Sequence, residues 1–217
     1  MRLPSDSQRL AIVGRTGSGK TRAGMWHLSK RDFFAMPWVI IDYKRDDLIA
    51  RSPTKEIDFK KKPPAEPGLY VIRPSPTEED DEYVEKFLLE CWAKGNIGIF
   101  VDEGYMIPKT SKAVGMILTQ GRSLHIPTII LSQRPVWMSR FVFSEADFIQ
   151  LFHLNHVEDR KKAVGFMTPE ARGVLPAYHS WYYDVGESKM VPLSPVPDDD
   201  AILANFKVPT KKKTRFT

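Results

Sequence analysis

A single cysteine, Cys91, rules out an internal disulfide and fits a reducing compartment. Histidines number five and none clusters with the cysteine, so the spacing of a structural zinc site is missing. No run approaches the roughly 20 consecutive apolar residues that a bilayer crossing needs. The opening Met-Arg-Leu-Pro-Ser-Asp-Ser-Gln-Arg has no apolar segment behind its charges, so no secretory leader is expected in it. Internal repeats are absent too. These absences lead us to expect a soluble intracellular protein, and 217 residues with 42% hydrophobic content suffice for one full core.

The charge is mildly basic, +5, and patchy. Lys60, Lys61 and Lys62 form one cluster, and Lys211, Lys212, Lys213 and Arg215 another. Such clusters suit a polyanion, a protein partner or a membrane surface, and equally a solvated face with a frayed terminus.

Leu10-Ala11-Ile12-Val13 is a short apolar run followed at once by a glycine-rich turn and then by Lys20 to Leu28, which reads as strand, loop and helix. Further apolar runs lie at Trp38 to Asp42, Leu69 to Arg73, Ile97 to Asp102, Thr128 to Ser132 and Phe148 to Phe152. They are apolar on both parities, the mark of strands covered on both faces. Thr77 is placed to cap a helix whose first turn is acidic, Glu78 to Glu82. Helices are also expected over Ser111 to Gln120 and Val157 to Gly165, and a closing strand or hairpin over Tyr178 to Val185. Strands alternating with helices predict an α/β fold, a mostly parallel sheet with helices on both faces. The charged, proline-rich stretch 44–68 reads as a loop or small insertion. One domain is expected over 1–190, with a Pro-, Asp- and Lys-rich tail, partly disordered, over 191–217.

Gly14-Arg15-Thr16-Gly17-Ser18-Gly19-Lys20-Thr21 fits GxxxxGK[ST] throughout and sits between strand and helix, where such a loop must lie. Its glycines let backbone N–H groups turn toward phosphate oxygens. Lys20 is placed to neutralise the β- and γ-phosphates, and the Thr21 hydroxyl to ligate Mg²⁺. Asp102, at a strand end, is placed to hold the same ion through water, and Glu103 to orient and activate the attacking water. A carboxylate on the water favours an ATPase over a small-molecule kinase, which must keep water out. Gln133 ends the next strand on the crevice side of the sheet and is placed as a sensor of the γ-phosphate, or else is an ordinary loop glutamine. Arg122, at the far end of that strand, reads by itself as a surface arginine.

Taken together, these segments resemble the FtsK–HerA superfamily of DNA-pumping ATPases. The matching pieces are the phosphate loop, Val39-Ile40-Ile41-Asp42-Tyr43-Lys44, Ile99 to Glu103, Gly121-Arg122-Ser123 and Leu131-Ser132-Gln133-Arg134-Pro135, within roughly residues 8–185. The resemblance implies a RecA-like core, a ring of subunits (pentamer or hexamer) around double-stranded DNA, Gln133 as sensor and Arg122 as a finger inserted into a neighbour's site. It gives Asp42 and Lys44 no chemical step. With a phosphate loop starting at residue 14, the chain looks most like the genome-packaging ATPases of membrane-containing icosahedral viruses. That implies capsid or viral membrane proteins as partners, and a place in the host cytoplasm and at the packaging vertex of the virion. Candidate DNA contacts are Lys109, Lys112, Arg140, Lys161 and Lys162, while Trp137 and Met138 suit either a subunit interface or the core. A conjugation or assembly ATPase and a nucleotide-gated switch with little turnover are the alternatives.

Overall fold

The first apolar run forms a strand, β1 (Arg9–Val13), buried along its whole length. A computed structural model describes residues 2–209 and builds a nine-stranded sheet around it. In chain order there follow α1 (Lys20–Leu28), β2 (Pro37–Asp42), α2 (Asp47–Arg51), β3 (Lys55–Glu56), β4 (Gly68–Ile72), α3 (Glu78–Lys94), β5 (Gly98–Asp102), α4 (Lys112–Gln120) and β6 (Thr128–Ser132). The chain continues with α5 (Phe141–Ser144), β7 (Phe148–Leu151), α6 (Val157–Val164), β8 (Ser180–Asp184), β9 (Lys189–Leu193) and α7 (Asp199–Ala204).

Strands lie in the order β3-β4-β2-β5-β6-β1-β7-β8-β9. All pairings from β3 to β7 are parallel; β8 and β9 extend the sheet as an antiparallel hairpin. Successive side chains in a strand point to opposite faces, so a strand with helices above and below needs apolar residues at both parities. β1 shows this directly. Ala11 and Val13 join the core with Val84, Phe87 and Ile117 of α3 and α4. Leu10 and Ile12 join the opposite core with Ala23, Met25 and Leu28 of α1. On that second face Trp38 lies flat over Gly98, and a β-carbon there would meet the indole at 2.1 Å, so only glycine fits.

The helix expected after Thr77 begins there, with the Thr77 side chain accepting from the Asp80 N–H. Stretch 44–68 is more ordered than expected: it holds α2, capped by Asp46, and β3, which pairs with β4 at the sheet edge. Proline and charge disguised both, because a one-turn helix and a two-residue strand are too short to show periodicity.

Regular structure continues past residue 190. β9 crosses it, and α7 docks back on the α1 face, with Ile202 fully buried and Leu203, Phe206 and Val208 packed beside it. Full burial of an isoleucine contributes about 1.5–3 kcal/mol. The pairs Arg22–Asp199 and Arg51–Asp200 are largely exposed and contribute roughly 0–1 kcal/mol each. Apolar contact therefore holds α7 in place. Lys211, Lys212, Lys213 and Arg215 lie outside the described residues. Among the described residues, no helix is long and apolar enough to cross a membrane.

Candidate nucleotide site

Parallel pairing brings several carboxyl ends of strands to one side of the sheet. Val13 is in register with Ser132, and Asp42 with Asp102. The segments that leave these strands therefore meet: the loop 14–21, Glu103, Gln133 and Lys44. This is the crevice that open α/β sheets offer to ligands.

The phosphate loop curls where its glycines allow it. Gly17 and Gly19 have φ of 76° and 94°, a region costly for residues with a β-carbon. Gly14 N–H donates to Ser132 O at 3.1 Å and Arg15 N–H to His153 O at 2.9 Å, which ties the loop to β6 and to the segment after β7. Gly19 precedes α1, which has no acidic residue in its first turn and no side-chain cap. Free N–H groups and the positive end of the helix dipole thus face the loop, as an anion site requires.

Lys20 is almost wholly buried, and its ammonium lies 3.2 Å from Oε1 of Glu103. Lys44 reaches the same oxygen. Burial pulls the pKa of both amines down, and for Lys44 the charge of Lys20 adds to the effect. Glu103 is fully buried and left-handed, with φ of 64°, and its Oε2 has no hydrogen-bond partner. Such a backbone is strained for glutamate and swings the side chain back toward the crevice.

Asp102 is also fully buried. Thr21 Oγ1 donates to its Oδ1 at 3.3 Å, and Oδ2 is unpartnered. A hydroxyl beside a carboxylate with a spare oxygen is a hard-oxygen donor set suited to Mg²⁺. Burial pushes the Asp102 carboxyl up to about 6, against the pull of Lys44 and Lys20. Because the folded-state value lies above the usual 3.8, the cost of burying the charge is absent at low pH and appears as pH rises through about 6. Asp102→Asn should therefore raise the melting temperature of the nucleotide- and Mg²⁺-free protein at pH 8, by on the order of 2–3 kcal/mol of stability. Thermal scans from pH 4 to pH 8 should show the gain vanish at the acidic end; a gain independent of pH would remove this account of Asp102.

Gln133 joins the loop as well. Thr16 Oγ1 donates to its Oε1, and its Nε2 donates to the Tyr105 hydroxyl at 3.1 Å. Trp137, about half exposed, leans on Tyr105 with ring centroids 5.7 Å apart, and the Arg134 guanidinium stacks on its face at 4.1 Å. Met138 is core, so the adjacent pair divides between surface and interior.

Arg122 lies elsewhere. It is exposed beyond α4, before the amino end of β6, on the opposite side of the sheet from loop 14–21. Lys109, Lys112, Arg140 and Lys161 are exposed. Lys162 is half-buried and donates to Met138 O at 2.9 Å; burial lowers its pKa first and the nearby Lys109 charge second. The Lys60 cluster is largely occupied internally, Lys60 with Glu79 and Lys61 with Asp58.

Three contributors escaped the sequence reading. Lys44 was visible in a motif, but its contact depends on β2 lying next to β5. Tyr105 carried no signal. Tyr178, exposed and left-handed at φ 61°, packs its ring against Gly19 and lines the cleft with Thr21, Asp46 and Asp199.

Sheet, loop and buried acid pair define a RecA-like phosphate-loop ATPase, an ATP-hydrolysing enzyme. No family model matches the chain. It is 44% identical over 224 residues to the DNA packaging ATPase P9 of Enterobacteria phage PRD1, covering 98% of both chains. The chain belongs to this family of viral DNA-packaging ATPases. Solved structures share the fold at lower identity. The genome-packaging NTPase B204 of Sulfolobus turreted icosahedral virus 2, in complex with ATPγS, superposes with a TM-score of 0.68 at 19% identity over 89% of this chain and 100% of that one. The conjugation coupling protein TcpA of pCW3 gives a TM-score of 0.62 at 16% identity over 90% of this chain and 62% of that one. A genome-packaging NTPase and a conjugation coupling protein thus share this architecture. The relative at 44% identity separates them.

Proposed function

We propose that the protein is one subunit of a ring that drives double-stranded DNA into a preformed capsid. The chief support is a phosphate loop, Asp102, Glu103 and Gln133 gathered on one crevice in a chain that is 44% identical to a packaging ATPase. Gly14, Arg15, Thr16, Gly17, Ser18 and Gly19 wrap the triphosphate with backbone N–H groups, and Lys20 neutralises its terminal phosphates. Tyr178 offers a flat face to the nucleobase.

Thr21 directly and Asp102 through water would hold Mg²⁺, which when bound would offset charge on the phosphate oxygens. Glu103 accepts a hydrogen bond from the attacking water and turns a lone pair of that water toward the γ-phosphorus. Gln133 reads whether the γ-phosphate is present and passes that state through Tyr105 toward Trp137. Arg122, too far from its own loop, stabilises the transferring phosphoryl group in the neighbouring subunit.

A translocating ring needs contacts to DNA phosphates that form and release, without base readout. Lys109, Lys112, Arg140, Lys161 and Lys162 supply that charge. The ring works in the host cytoplasm and at the packaging vertex, against capsid or viral membrane proteins.

The test is steady-state ATP turnover with and without duplex DNA over a salt series. Stimulation by DNA that fades steeply with salt, and that disappears in Lys109→Glu/Lys112→Glu while DNA-free turnover persists, is the expected result. Turnover indifferent to duplex DNA at low salt would favour a nucleotide-gated switch.

A further inference from the structure

Asp42-Tyr43-Lys44 is the part of the sequence pattern to which the mechanism above gives no task. Asp42 is occupied by structure: it accepts from Asp46 N–H at 3.1 Å and pairs with Arg73 at 3.3 Å, which ties the end of β2 to the segment after β4. Lys44 is different. It stands two residues beyond the last β2–β5 pair, and that register carries its amine onto Oε1 of Glu103.

Lys20 and Lys44 share that oxygen while Oε2 is bare. Nucleotide must break this arrangement, because the ammonium that phosphates draw away is Lys20, the one inside the phosphate loop. Lys44 lies outside the loop, about a third exposed, and keeps its reach to Glu103. Without it, the buried carboxylate would face the reaction with no cation and no reason to hold one rotamer. With it, Oε1 is pinned and Oε2 is the oxygen left for water.

We propose that Lys44 is a positioning residue for Glu103: it retains Oε1 when the phosphates take Lys20, and so aims Oε2 at the attacking water. The proposal rests on Glu103 being the water-orienting residue, and the experiment separates the two.

Lys44→Met, Lys44→Arg, Glu103→Gln and the double variant Lys44→Met/Glu103→Gln are compared with wild type. Single-turnover ATP hydrolysis and equilibrium titration of a fluorescent ATP analogue are measured for each. Lys44→Met should slow the single-turnover rate by roughly 10–100-fold, the range for a lost supporting contact, and leave analogue affinity close to wild type. Lys44→Arg, which keeps the cation, should recover most of the rate. In the Glu103→Gln background Lys44→Met should add no further loss, since its partner is gone.

Unchanged or faster turnover in Lys44→Met would overturn the proposal and make Lys44 a restraint on Glu103. Lost analogue affinity at unchanged rate would make it a phosphate ligand instead. Independent, multiplying losses in the double variant would show that it does not act through Glu103. Should Glu103→Gln alone turn over at the wild-type rate, the assignment of Glu103 fails, whatever Lys44 does.

Discussion

Glu103→Gln is expected to lower the rate of ATP hydrolysis by roughly 10²–10⁴-fold, the usual contribution of a positioned general base, while nucleotide still binds. The substitution keeps the shape of a side chain that is fully buried, so packing is preserved. It removes the charge shared by Lys20 and Lys44. Lys20 then loses the carboxylate paired with it at 3.2 Å, and affinity for ATP should equal or exceed that of wild type. Single-turnover hydrolysis and equilibrium binding measured on the same preparation check both halves. A loss below ten-fold would mean that water is oriented by another group, and Gln133, already hydrogen-bonded to Thr16, would be the next residue to examine.

Arg122→Ala should be at least as damaging, for a different reason. β6 is five residues long, about 17 Å at a strand's rise, and Arg122 precedes it while Gln133 and the loop lie beyond its other end. No rotamer of Arg122 covers that span. A trans arginine is worth about 10³–10⁵ in rate, so the variant should be almost inactive at any protein concentration.

The sharper measurement mixes two dead proteins. Arg122→Ala retains Glu103, and Glu103→Gln retains Arg122. In rings assembled from equal amounts, about a quarter of the interfaces join an intact Glu103 to an intact Arg122. Turnover should then rise well above that of either parent. If mixing restores nothing while ring assembly is seen by light scattering, Arg122 does not serve a neighbour's site.

What could be read in the sequence was mostly local. Thr77 and its acidic turn announced the start of α3 because capping involves residues within a few positions of each other. The phosphate loop was legible because its backbone path is dictated by glycines in one short stretch. Central strands were legible because two-sided burial shows as unbroken apolar runs. Contacts made by neighbouring strands were hidden. Lys44 meets Glu103 across 59 positions, and Gln133 meets Tyr105 across 28, through a sheet order that residue spacing does not encode. The docking of α7 was obscured in another way: Ile202, Leu203, Phe206 and Val208 are scattered among prolines and aspartates, and composition alone made that stretch look like a tail.

Trp137 gives the molecule an optical reporter of its own. Its indole is about half solvated, covered on one face by the Arg134 guanidinium and in contact with Tyr105, whose hydroxyl holds the amide of Gln133. Trp38, by contrast, is sealed in the core. Under the sensor role proposed for Gln133, filling the γ-phosphate position should change the emission of Trp137, and a Trp137→Phe control separates that change from the emission of the other four tryptophans. Two side chains, Gln133 and Tyr105, are all that separate the crevice from that surface ring.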